Sequence, residues 1–72
     1  MNPDWVRTTP RVFGLSISFP DRYMPVHVTA VIHKDKRWRM FINNEYIADF
    51  HTFEELDGMV PVLVNAHIWR TK

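Results

Sequence analysis

The strongest constraint on this chain is a strict two-residue alternation that recurs in four segments joined by short links. In "RVFGLSISF", Phe13, Leu15, Ile17 and Phe19 share one face, and Val12, Gly14, Ser16 and Ser18 share the other. In "VHVTAVIH", Val26, Val28, Ala30 and Ile32 oppose His27, Thr29, Val31 and His33. "RWRMFIN" sets Trp38, Met40 and Ile42 against Arg37, Arg39, Phe41 and Asn43. "YIADFH" sets Tyr46, Ala48 and Phe50 against Ile47, Asp49 and His51. This period is that of half-buried strands.

Residues opposite one another in an antiparallel pair share a face, so each link must match the alternations it joins. A three-residue loop Lys34-Asp35-Lys36 places Ile32 opposite Trp38, Ala30 opposite Met40 and Val28 opposite Ile42. A three-residue loop Asn43-Asn44-Glu45 places Ile42 opposite Tyr46, Phe41 opposite Ile47 and Trp38 opposite Phe50. A two-residue Asn43-Asn44 turn, the commoner kind, would set Met40 against Ile47 and Trp38 against Asp49, a worse match. The link from Pro20 to Pro25 places Phe19 opposite Val26 and Ile17 opposite Val28. One four-stranded antiparallel meander satisfies all of these pairings.

The segment from Thr52 onward changes period. Thr52 and Glu55 stand at capping-box spacing. Phe53, Leu56, Val60, Leu63 and His67 then form one helical stripe. The expectation is a C-terminal helix packed on the apolar sheet face, hence an α+β domain. Gly58, Pro61 and the β-branched run after it keep a rival open, in which residues 60–69 form a fifth strand. Residues 1–10, "MNPDWVRTTP", show no usable period and read as an extended arm, ordered if Trp5 docks on the domain. Residues 11–72 form the single domain.

At 72 residues, with no cysteine and a formal charge of +1, the chain is a small domain with no disulfide to staple it. The balance of charge indicates neither a strongly basic nucleic-acid coater nor an acidic mimic. No apolar run approaches a membrane span and no signal peptide is evident, so the expected location is the cytoplasm. Two glycines cannot build a phosphate loop, and Ser16 and Ser18 sit in mid-strand, away from any nucleophile elbow. His27 and His33 lie about 20 Å apart on one strand, too far to share a metal. His33 and His51 flank Arg37, whose charge opposes a cation there. No enzyme activity, cofactor or metal is expected.

The outer sheet face is the candidate site. Its apolar strip is Val31, Phe41 and Ile47; beside it stand Arg37, Arg39, His33 and His51. Arg39 faces Asp49 across the strands, whereas Trp38 points into the core and offers no stacking platform. Arg and aromatic residues dominate protein interfaces, so the expected function is a non-enzymatic protein-interaction module. Its partner would be another protein or protein complex, or a second copy of the chain. The alternative is a small nucleic-acid-binding accessory protein that grips phosphates through Lys34, Lys36 and Arg37, with Arg7 and Arg11 of the arm. In size, and in the strand-to-helix stretch "DFHTFEEL", the chain resembles the small single-domain inhibitors carried by bacteriophages and mobile elements, anti-CRISPR proteins among them. That resemblance implies a chain that blocks a host or defence complex inside a bacterial cell.

Overall fold

The computed structural model describes residues 5–20 and 23–70, with Arg70 described by its backbone alone. Five strands form one sheet: β1 (Val6–Thr9), β2 (Val12–Ile17), β3 (Val26–Ile32), β4 (Trp38–Ile42) and β5 (Glu45–Phe50), followed by helix α1 (Phe53–Arg70). Strand order follows chain order, and every pair is antiparallel. The expected meander is present, and α1 lies across one of its faces. The fifth strand comes from the N-terminal arm; residues 60–69 belong to the helix. The first four residues of the arm lie outside the described residues.

Each hairpin has a local cause. Between β3 and β4, the His33 amide donates to the Arg37 carbonyl at 2.8 Å and the Lys36 amide to the His33 carbonyl at 2.9 Å. Lys36 takes a left-handed backbone, φ 68°, which closes the three-residue loop with the register the alternation requires. Between β4 and β5, Asn43 (φ 50°) and Asn44 (φ 68°) form a two-residue turn of the primed kind, and Ile42 pairs with Glu45. Phe41 then pairs with Tyr46 while Met40 pairs with Ala48, so Ile47 is the extra residue of a β-bulge. The bulge restores Trp38 opposite Phe50 and Arg39 opposite Asp49. The expected three-residue loop is thus replaced by a two-residue turn plus a bulge, which together add the same residue count.

Two pairings differ from expectation by two residues. Ile17 pairs with Val26 and Leu15 with Val28, so Phe19 lies beyond the strand. A shift of two preserves every residue's face, so the alternation tolerates it and the long 18–25 link absorbs it. Consequently Val12 faces Val31, not His33.

The core is one cluster between sheet and helix: Leu15, Val26, Val28, Ala30, Met40 and Ile42 from the strands, with Phe53, Leu56, Val60 and Val64 from α1. Thr52 Oγ1 accepts from the Glu55 amide at 3.1 Å, capping the helix. Pro61 sits inside α1 on an exposed position, so its ring meets solvent and the helix continues past it. Trp38 is half-buried and meets Phe53 edge-on at 5.0 Å. Trp5 docks on the domain: its ring meets Phe53 at 5.2 Å and its Nε1 donates to Asp57 Oδ1 at 2.8 Å. Among the described residues, no helix is long and apolar enough to cross a membrane.

Candidate functional site

The face of the sheet turned away from α1 is covered by no element of the described chain. Its rows follow the observed register. His33 and Arg37 form the row nearest the β3–β4 tip. Val12, Val31, Arg39 and Asp49 come next, then Val6, Gly14, Thr29, Phe41 and Tyr46, and finally Ser16 with His27.

The bulge changes who stands on this face. Ile47, expected as an outer anchor opposite Phe41, turns to the other side and packs against the core. There it lines a small cavity of roughly 160 Å³ with Leu63, Ala66 and His67. Tyr46, expected in the core, takes the outer place and leaves 52% of its surface exposed. Its ring meets Phe41 edge-on at 5.9 Å. The sequence signal was two adjacent bulky residues, either of which could face inward; a bulge decides between them and leaves no mark in the alternation.

Tyr46 organises a small polar cluster. Its hydroxyl donates to the Asp49 carboxylate, which holds the phenol above its ordinary 10.0; the Asp49 charge acts in the same direction and Arg39 opposes it. Arg39 Nε lies 3.5 Å from Asp49 Oδ1, and the guanidinium sits 5.9 Å from the centre of the Tyr46 ring. That Nε is shielded from solvent and lacks hydrogen-bond geometry to any acceptor, so its contact with Asp49 is an ion pair only. Phe41, Tyr46 and Arg39 thus form one connected surface rather than isolated side chains.

At the tip, Asp35 answers part of the positive charge. Its Oδ1 accepts from the Arg37 amide at 3.1 Å and lies 3.6 Å from His33 Nδ1, while Oδ2 lies 4.0 Å from Arg37 Nε. The Arg37 amide, with the His33 and Arg37 charges, holds the Asp35 carboxyl below its ordinary range. Lys34 and Lys36 are exposed, and the bond from the Ile32 amide to the Arg11 carbonyl at 3.0 Å brings Arg11 to the same end. Arg7 is on edge strand β1, and its guanidinium reaches the Pro10 carbonyl at 3.5 Å. His51 is exposed after the end of β5.

The other half of the face is a groove of roughly 600 Å³, with Val6 and Thr8 on one side and Gly14, Ser16, His27 and Thr29 along its floor. Ser16 Oγ and His27 Nδ1 stand 2.9 Å apart across β2 and β3. Among the described residues no three His, Asp or Glu side chains are grouped to hold a metal ion. Compared with protein-family models, curated proteins and solved structures, the chain matches none.

Proposed function

We infer that this chain is a non-enzymatic protein-interaction domain that docks through its uncovered sheet face. The observation that supports this most directly is the aromatic pair of half-buried Phe41 and exposed Tyr46, joined to Arg39 on the uncovered face. Aromatic and Arg side chains are the usual centre of a protein interface. A groove beside them offers relief into which a partner's side chains fit. The partner's chemistry follows from the surroundings: an apolar centre to meet Phe41 and Tyr46, with acidic groups toward the end that carries Arg11, Lys34, Lys36 and Arg37. A blocking protein of a host or defence complex, of the kind phages and mobile elements carry, would work through such a face.

The test is affinity capture from bacterial lysate with the wild-type chain beside Phe41→Ala and Tyr46→Ala. Both variants are expected to keep their thermal melts within a few degrees and to weaken the captured complex by about 1 kcal/mol or more, the range of interface hot spots. Equal capture by folded variants would remove the sheet face from the interface. Capture dominated by nucleic acid, abolished by moderate salt and by loss of Lys34 and Lys36, would instead favour the phosphate-gripping alternative.

A further inference from the structure

The tip between β3 and β4 holds a residue that the turn itself does not call for. A three-residue hairpin loop closes with its last residue in the left-handed region, where glycine is at no disadvantage and a residue with a Cβ is strained. Here that residue is Lys36, at φ 68°. The closure uses only its backbone: the Lys36 amide donates to the His33 carbonyl at 2.9 Å, a bond that glycine would make equally well. The Lys36 side chain is exposed, and among the described residues it makes no hydrogen bond or ion pair. A strained backbone that serves no contact inside the chain points to a contact made outside it.

The surroundings give that contact its chemistry. Lys34, at the start of the loop, is also exposed and also without an ion pair among the described residues. Arg37, with 55% of its side chain exposed, and Arg11 stand at the same end. Asp35 is the acid of the loop, and it is engaged by the Arg37 amide at 3.1 Å and by His33 at 3.6 Å. The tip is therefore positive although the whole chain carries only +1, and a complementary surface is anionic. Asp35 also selects among anions. Its carboxylate is 59% exposed and stands between the two lysines, so it repels an unbroken row of phosphates running from Lys34 to Lys36. Separate carboxylates on a protein, with a donor between them for Asp35, match the alternating signs. Trp38 is turned toward Phe13 and Phe53 and offers no ring on which a base could stack.

We propose that the β3–β4 tip is a contact site for an acidic segment of the protein partner, with Lys36 its specificity-determining residue. The strain at Lys36 is kept because glycine, the better residue for the turn, carries no charge to the contact. Lys36 lies five residues before Phe41, roughly 15 Å along the strand, so the tip and the aromatic pair meet different parts of one partner.

The test is an NMR titration of the full chain with two probes of equal formal charge, a capped hexaglutamate and a thymidine oligonucleotide, at about 0.15 M salt. Hexaglutamate should shift the amides of residues 33–37. Lys36→Gly should weaken that binding about two- to fivefold, the worth of one exposed ion pair, while raising the melting temperature. Lys36→Arg retains both the charge and the strained backbone, and should match the wild type in affinity and melt. The oligonucleotide should bind no more tightly than hexaglutamate. A lower melt in Lys36→Gly would show that the turn needs its lysine. Shifts absent from the tip, or indifferent to Lys36→Gly, would remove the contact, and tighter binding of the oligonucleotide would make the tip a phosphate grip. Each of these results overturns the proposal. It rests on the docking reading only in assigning the acidic segment to that same partner: Phe41 and Tyr46 take no part in this titration, so the tip can fail while the sheet face stands, and the reverse.

Discussion

Tyr46 holds its proton more firmly than a free tyrosine because its hydroxyl donates to the Asp49 carboxylate and ionisation would set two negative charges together. The sign of the resulting pH dependence follows. A pKa raised in the folded state contributes stability that is fully present below the ordinary value of 10.0 and is lost as pH rises through the raised folded value. The chain has two tyrosines, so a Tyr23→Phe background leaves tyrosinate absorbance reporting on Tyr46 alone. In that background the alkaline midpoint should lie above 10.0 and fall when Asp49→Asn is added. An unchanged midpoint would mean that Asp49 does not hold the phenol. The same residue shows what alternation leaves undecided. Tyr46 and Ile47 are both bulky and both suited to a core, and only the bulge at Ile47 assigns one to each face.

At the scale of elements, α1 carries two residues that its own stability does not need. Pro61 has no amide to donate to the Asp57 carbonyl four residues earlier, and Gly58 adds backbone freedom in the unfolded chain. Both positions are exposed. Pro61→Ala should therefore stabilise the fold by about 1–3 kcal/mol and Gly58→Ala by about 0.5–1 kcal/mol, read from urea midpoints at constant slope. Destabilisation by either would mean that the helix path depends on that residue. The elements themselves were largely legible. Period-2 alternation gave β2 to β5 and their facing apart from that of Tyr46 and Ile47, and the Phe53-Leu56-Val60 stripe with Thr52 gave the helix and its start. Two things escaped for physical reasons. A register shift of two leaves the facing of β2 unchanged, so the pattern could not fix it. Strand β1 is short, exposed and bulged between Arg7 and Thr9, so it has no buried face to write an alternation; its β-branched Val6, Thr8 and Thr9 were the only signal. At the site, Phe41, Val31, Arg37 and Arg39 were placed correctly on the outer face, whereas Ile47 was not.

Across the whole molecule, the N-terminal strand is held from the side opposite to the one it shapes. Val6 and Thr8 line the outer groove, yet the strand that carries them is exposed along its length. Its anchor is Trp5, which reaches to the helix side, stacks edge-on against Phe53 and donates to Asp57. The Trp5 contact therefore couples the core side of the sheet to the outer face. Trp5→Phe keeps a ring against Phe53 and loses the hydrogen bond to a carboxylate, which should cost about 1–2 kcal/mol at a partly exposed site. Trp5→Ala loses the ring as well and should cost about 2–4 kcal/mol, within the range for large-to-small changes. Hydrogen exchange separates this from a general loosening. In Trp5→Ala the amides of Val6 to Thr9 should lose protection first, while Val28, Ala30, Met40 and Ile42 in the central strands keep theirs, because local opening follows buried contact. If the groove contributes to docking, the same variant should also weaken capture of a protein partner, although Trp5 stands on the far side of the sheet. Uniform loss of protection across β1 to β5, or full protection of β1 without Trp5, would show that the strand is held by its pairing with β2 and that the two faces are independent.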